Sequence, residues 1–144
     1  MVMDRGQVAR VSIAMNASLD RVWDAFVNPT IIKQYTFGTD VVSDWKEGSA
    51  ITWKGEWQGK KYEDKGTILW LKPRQVISYS HFSTLSGLPD LPENYHTVTV
   101  ELSQSKNGTL VKLTQDNNPD DEARKQSEEI WTMMLGSLKK IVEK

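Results

Sequence analysis

Apolar and polar residues alternate along most of the chain as far as Gln115, whereas the last quarter repeats its apolar residues at helical spacing. Alternation with period two is typical of half-buried strands, and spacings of three and four are typical of an amphipathic helix. A long helix and a large sheet each have one apolar face to bury, so we expect them to pack on each other. The pattern therefore predicts a single α+β domain, residues 1–144, in which a curved antiparallel sheet wraps a long C-terminal helix.

The order of the elements follows from the same pattern. A first strand over 7–16 leads to a short helix that Ser18 can cap and that ends near Val27. Pro29 can open a second short helix. Six strands with hairpin-like connections follow, predicted over 40–45, 50–58, 61–71, 75–82, 95–103 and 109–115. Strands in one run with helices at the ends favour an α+β fold.

The final helix is expected to begin near Pro119, with Asn117 or Asn118 as its cap. Its apolar stripe consists of Ile130, Trp131, Met134, Leu138, Ile141 and Val142. The stripe is thin over 120–127, so the first half of the helix is expected to seal poorly against the sheet. If the fold has a cavity, its mouth is therefore expected there, facing the long loop 83–93 and the end of the second short helix.

Composition excludes several classes of function. The chain has 18 basic and 19 acidic residues, a net charge of -1, which gives no reason to expect binding to nucleic acid or to an anionic membrane. It has no cysteine, hence no disulfide or thiolate nucleophile. No apolar run is long enough to span a membrane, and Met1–Arg10 lacks the apolar core of a signal peptide. We expect a soluble, cytoplasmic monomer.

Motifs that carry chemistry are scarce. There is no G-x-S-x-G, no G-x-G-x-x-G and no phosphate loop, so no catalytic residue, cofactor or metal site is predicted. The two histidines, His81 and His96, flank the long loop on adjacent predicted strands. They are either a polar pair at the mouth of a pocket, able to act as acid and base, or two unrelated strand-end residues. The second interpretation is favoured, because most such polar residues are structural.

The strand predicted over 61–71 leaves two orientations open. Asp64 falls on the same alternating face as Ile68, which would bury its carboxylate, but a one-residue shift at Gly66 would reverse that face. A solvated charge at the sheet edge is the favoured interpretation of Asp64. The tail of the strand is apolar on both sides, so either Trp70 or Leu71 can point inward.

Aromatic residues are the better functional signal, with six tryptophans in the chain. Several share inward faces of predicted strands or end the second short helix. The residues predicted to line a ligand cavity are Tyr35, Phe37, Trp53, Trp57, Tyr79, His81, His96, Trp131 and Met134. The alternative is a filled core without a cavity, because large aromatics build both. Met134, on a core-facing stripe, is more often plain core.

Several short segments, taken in order, resemble one family. They are Ala17–Phe26, Asn28-Pro29 with Lys33-Gln34-Tyr35, Gly66-Thr67-Ile68 with Pro73-Arg74, and Trp131 with Leu135 and Leu138. The set resembles the START-like or SRPBCC superfamily and, within it, the family named after the activator of the heat-shock protein 90 ATPase. The resemblance implies a helix-grip fold, in which the sheet curls around the C-terminal helix and an elongated cavity often lies between them. Tyr35 stands where that family commonly has Trp.

Three functions are compatible with these features. The first is binding of a small hydrophobic or amphipathic molecule between the sheet and the final helix. The second, implied by the resemblance, is a partner role in which the protein stimulates the ATPase of a heat-shock 90 chaperone. The third is an enzyme of the cyclase or hydrolase type found in the superfamily. The sequence ranks ligand binding first, the partner role second and catalysis third.

Overall fold

The computed structural model describes residues 6–144, so the first half of the Met1–Arg10 segment lies outside it. The described residues form seven strands, three α-helices and one short 3-10 helix. The strands are β1 (Gln7–Met15), β2 (Asp40–Ser43), β3 (Ala50–Trp57), β4 (Lys60–Lys72), β5 (Val76–His81), β6 (His96–Ser105) and β7 (Gly108–Asn118). The helices are α1 (Leu19–Val27), α2 (Pro29–Tyr35), the 3-10 helix (Pro92–Asn94) and α3 (Asp121–Val142).

The seven strands form one curved antiparallel sheet in the order β1-β7-β6-β5-β4-β3-β2. Strands β2 to β7 pair with their neighbours along the chain, and β1 pairs with β7. Helices α1 and α2 therefore connect the two edges of the sheet, while α3 packs across its inner face. This confirms the predicted helix-grip fold. None of the helices within 6–144 is long and apolar enough to cross a membrane.

The two short helices begin where the sequence predicts. The Ser18 side chain accepts a hydrogen bond from the backbone N–H of Arg21 (3.2 Å) and so satisfies one free donor of α1. Asn28 ends α1 and caps α2 by accepting from the N–H of Thr30 (3.0 Å). Pro29 occupies the first position of α2, where no N–H is needed.

The start of α3 differs from the prediction. Its cap is Asp120, whose carboxylate accepts from the N–H of Ala123 (2.8 Å). Asn117 and Asn118 still belong to β7, and Asn118 is only 2% exposed. Pro119 therefore joins strand to helix and lies outside the first helical turn. The predicted caps were wrong because the last strand runs further than its apolar pattern.

The core lies between the inner face of the sheet and the second half of α3. Its fully buried side chains include Val111, Leu113, Val100, Ile77, Leu135 and Leu138. Leu135 is completely buried although it is absent from the predicted stripe, whereas Ile130 is 49% exposed. At about 100° per residue, Leu135 lies closer to the Leu138 direction than Ile130 does. The resemblance, which pairs Trp131 with Leu135 and Leu138, placed this contact better than the spacing did.

Strand β4 contains a bulge that decides the orientation of its tail. Ile68 pairs with Tyr79 and Trp70 pairs with Ser78, so Leu69 is an extra residue on β4. Leu69 and Trp70 are both about half exposed as a result. Leu71 follows on the opposite face and packs against the core. Leu71, and not Trp70, therefore points inward.

Gly66 has a different role from the predicted register shift. The pairing of β4 keeps one register from Lys65 to Ile68, so Asp64 stays on the inner face of the sheet. At Gly66 the backbone of β5 approaches closely, and a Cβ atom there would collide with the carbonyl oxygen of Ser80. Glycine is needed at this position because two strands come too close together for any side chain.

Replacing Leu135 by Ala is expected to lower the free energy of unfolding by about 2–5 kcal/mol, because it leaves a cavity in a fully buried contact. The matched control is Ile130→Ala on the exposed flank of the same helix, where a change within about 0.5 kcal/mol is expected. Urea denaturation of both variants measures the difference. Equal losses would mean that the apolar stripe, and not the observed packing, sets the stability of α3.

Candidate functional site

The first half of α3 is fixed to the sheet by polar contacts. The Trp131 Nε1–H donates to Oε1 of Gln115 on β7 (2.7 Å), and the amide of Gln115 donates to Ser127 Oγ (3.3 Å). Ser127 in turn donates to Oδ1 of Asn118 (2.9 Å). The few apolar residues over 120–127 therefore do not leave this side of the helix open. The predicted mouth is closed toward β7 by a hydrogen-bond network.

The flank of α3 that faces β1 is closed in the same way. Glu128 accepts a hydrogen bond from the backbone N–H of Arg10 (3.0 Å), and Lys139 donates to a β1 carbonyl (3.1 Å). At about 100° per residue, Ile130 and Met134 lie on the opposite flank of the helix. Ile130 is half exposed and Met134 is partly buried against the core. The flank that carries Ile130 and Met134 is therefore the one turned away from β1.

Four aromatic side chains meet on the inner face of strands β3, β5 and β6. The ring centroids of Trp53 and Tyr79 are 5.3 Å apart, and those of Trp53 and His81 are 4.8 Å apart with the planes at 76°. The imidazoles of His81 and His96 lie 6.4 Å apart and nearly parallel, at 25°. His81 and His96 are direct register partners on β5 and β6. The two histidines are therefore neighbours in space, as the first interpretation expects, and both are partly exposed at the ends of their strands. We call these four residues the aromatic cluster.

Asp64 joins the aromatic cluster through its carboxylate. Its Oδ2 atom lies 3.0 Å from Nε2 of His81, and its Oδ1 atom accepts from the N–H and Oγ1 of Thr84 (3.0 and 3.3 Å). The Asp64 side chain is only 13% exposed and that of His81 is 27% exposed. The favoured interpretation of a solvated edge charge was wrong for Asp64, because the register of β4 turns it inward.

His96 is held by the neighbouring strand. Its Nδ1 atom lies 2.8 Å from the carbonyl oxygen of Asp116. Because a carbonyl can only accept, His96 donates from Nδ1. The Asp116 carboxylate accepts from the backbone N–H of Thr97 (2.6 Å), which ties β6 and β7 together beside the ring. The backbone carbonyl of Asp116 therefore orients the His96 ring.

Burial raises the pKa of the Tyr79 phenol, so this hydroxyl stays protonated across the physiological range. Tyr35 is buried more deeply, and burial likewise raises its pKa. The Tyr35 hydroxyl donates to the carbonyl of Ala25 (2.8 Å), and its ring meets Phe26 edge-on at 6.5 Å. The structure thus places Tyr35 in the core, where Tyr79 of the aromatic cluster packs against the same buried residues.

Phe37 and Trp57 form a second aromatic contact, between the segment that follows α2 and the end of β3. Their centroids are 6.0 Å apart, and the side chains are 58% and 51% exposed. Trp57 ends β3 just before a two-residue turn at Gln58 and Gly59, both with positive φ, one residue earlier than predicted. The structure does not bring this pair into contact with the aromatic cluster. Trp131 lies on α3, and its indole N–H is held by the side chain of Gln115 on β7.

Two surface pockets lie elsewhere. One, of about 530 Å³, is on the β3–β4 hairpin, and the other, of about 320 Å³, lies beside the end of β1. Neither is lined by any of the nine residues predicted for the cavity. Within 6–144, no three His, Asp or Glu side chains are grouped closely enough to hold a metal ion.

The loop between β5 and β6 is fastened to β4 next to the aromatic cluster. Asp90 forms an ion pair with Lys65 and accepts a hydrogen bond from the Tyr95 hydroxyl (2.6 Å). The Tyr95 ring stacks on Phe82 at 5.2 Å. With Thr84 bound to Asp64, the loop is attached near both of its ends. The hydrogen bond from Lys65, followed by that from Tyr95, lowers the pKa of Asp90.

A family model described as "Activator of Hsp90 ATPase homolog 1-like protein" matches residues 16–143. The chain belongs to this family. No curated protein matches the chain in sequence.

Three solved structures have the same fold as this chain. A solution structure of a protein from Cytophaga hutchinsonii is 57% identical, covers 98% of this chain and 97% of its own, and has a TM-score of 0.86. A crystal structure from Chromobacterium violaceum is 22% identical over 95% and 97% of the two chains, with a TM-score of 0.77. The solution structure of the Aha1 dimer from Colwellia psychrerythraea is 20% identical over 95% and 96%, with a TM-score of 0.73. The last two similarities concern the fold alone.

Sequence reasoning missed two residues around the site. Gln115 could have been found, because it follows Val111 and Leu113 on the inward face, where a polar side chain needs a partner. Thr84 could not, because it lies in an irregular loop whose side-chain directions have no periodicity. Both bond to groups that are distant in sequence.

Replacing Lys65 by Met is expected to raise the pKa of Asp90 toward its ordinary value, because the largest cause of its lowering is removed. Since the folded-state pKa is lowered, the attachment of the loop is intact near neutral pH and is lost as the pH falls through that value. Carboxyl ¹³C NMR during a pH titration measures this. Lys54→Met, which removes an exposed pair with Glu63, is the control and should leave Asp90 unchanged. An Asp90 that titrates normally in the unaltered protein would contradict the attachment.

Proposed function

We propose that this member of the family binds a small amphipathic molecule at the aromatic cluster, beside the flank of α3 that carries Ile130 and Met134. The observation that supports this is a gradient of burial along the inner face of the sheet. At one end Val111 and Leu113 are at most 1% exposed. At the other end all four members of the aromatic cluster remain partly exposed.

A filled core would bury these rings, since large aromatics supply more apolar area than any other side chains. Trp53 and Tyr79 offer such area to a ligand, and covering about 100 Å² of apolar surface contributes about 2.5 kcal/mol. The Asp64–His81 pair supplies a polar contact at the edge of that surface. An apolar wall with few polar groups is the usual composition of a small-molecule site.

Replacing Trp53 by Leu is expected to weaken binding about tenfold or more, because it removes the aromatic wall that contacts both Tyr79 and His81. A panel of lipids and metabolites screened by thermal shift supplies the ligand, and native mass spectrometry of gently purified protein detects any that co-purifies. The matched control is Trp70→Leu on the outer face, where no loss is expected. Equal effects of the two substitutions, or no ligand from either screen, would count against the proposal.

The description of the family suggests a second candidate, stimulation of a heat-shock 90 ATPase. The observation in its favour is the exposed pair of Phe37 and Trp57, because aromatic residues are enriched at protein interfaces. An ATPase assay with a heat-shock 90 chaperone tests it directly. Stimulation that is lost in Trp57→Ala and kept in Trp70→Ala would support the partner role, and a flat response of the unaltered protein would reject it.

A further inference from the structure

Building on the proposed function, we propose that Nδ1 of His81 binds the polar head of the ligand by accepting a hydrogen bond. The ligand class is then an apolar molecule that carries a hydrogen-bond donor, of which a hydroxyl group is the simplest. The ligand's apolar part would lie on Trp53. Three features of the site support this assignment.

The first feature is the hydrogen-bond state of Asp64. Its Oδ1 atom already accepts from the N–H and the hydroxyl of Thr84. An ionised carboxylate has no hydrogen to donate, so the short contact between its Oδ2 atom and His81 requires that Nε2 carries the hydrogen. In the neutral imidazole the other nitrogen, Nδ1, is then an acceptor. Asp64 is a positioning residue, because it fixes both the orientation and the tautomer of the ring.

The second feature is access to Nδ1. Among residues 6–144, the hydrogen bond of the His81 ring is made through Nε2. No fully buried side-chain nitrogen or oxygen in that part of the chain lacks a partner. Nδ1 of His81 is therefore at the accessible surface, in agreement with a side chain that is 27% exposed. A ligand can reach it without displacing a protein group.

The third feature is the surroundings of the ring. Trp53 stands edge-on to His81 at 4.8 Å, and the His96 ring lies parallel to it at 6.4 Å. His96 is oriented by the carbonyl of Asp116, so its ring is a fixed wall. Because Nδ1 of His81 lies beside the apolar surface of Trp53, it favours a ligand whose hydrogen-bond donor is next to its apolar part. An ether offers no donor hydrogen and gains nothing from this acceptor.

The experiment compares alcohols with their methyl ethers, using 1-octanol and 1-decanol and the full chain. Titration calorimetry is expected to show each alcohol binding about threefold to tenfold more tightly than its ether, the range that one neutral hydrogen bond contributes. Equal affinities of alcohol and ether would overturn this inference and leave the proposed function standing. Absence of binding by all four probes would count against the proposed function itself, and the inference would fall with it.

Two variants identify the group responsible. In His81→Phe, which keeps a ring and removes Nδ1, the ratio of alcohol to ether affinity is expected to fall to about one while the ethers still bind. In Asp64→Asn, the amide can donate to Nε2 and move the ring hydrogen to Nδ1, so the preference for alcohol should shrink. Trp70→Leu is the control and should keep the full preference. The measured quantity is the ratio of alcohol to ether affinity. A general loss of stability would lower both affinities and leave this ratio unchanged.

A measurement on the unaltered protein avoids any effect of substitution on folding. Long-range ¹H–¹⁵N NMR spectra of the imidazoles distinguish the two neutral tautomers. We expect His81 to carry its hydrogen on Nε2, and its Nδ1 resonance to move on addition of 1-decanol but not of the methyl ether. A neutral His81 with its hydrogen on Nδ1, or equal movement with both probes, would overturn the inference.

Discussion

The attachment of α3 to one side of the sheet is the constraint on which the rest of this structure depends. Leu135 and Leu138 bury the helix in the core, while Glu128 and Lys139 bind it to the backbone of β1. Because the flank of α3 that carries Glu128 and Lys139 is fixed to the edge strand β1, the opposite flank of the helix points away from β1. Ile130 and Met134 occupy that other flank.

This asymmetry explains how the fold keeps partly exposed aromatics without losing its core. The free energy of packing is concentrated where Val111 and Leu113 meet the second half of α3, and these contacts are complete. The polar network from Trp131 to Gln115 holds the first half of the helix in place without apolar burial. Trp53 and Tyr79 pack against the edge of this core and remain partly exposed.

The sequence predicts the elements well and the site only in part. Alternation places His96 on the inner face with Val98, because side-chain direction along a strand follows from period alone. It could not place Asp64 securely, since a shift at Gly66 would have reversed its face, and no local pattern shows that the bulge lies instead at Leu69, beyond Ile68. The caps of α3 were misplaced for a related reason. Where β7 ends depends on pairing with β1, which no local pattern reports.

Asp64 links the loop between β5 and β6 to the chemistry of the aromatic cluster. A carboxylate that is 13% exposed is stable only when donors replace its lost water, and here those donors are His81 and both groups of Thr84. If the loop moved at Thr84, the Oδ1 atom would lose two donors and the carboxylate would reorient. The His81 ring, held through the other oxygen, would then lose its fixed orientation. One side chain therefore joins the loop to the His81 ring, and Asp90 holds the far end of the same loop to Lys65 and Tyr95.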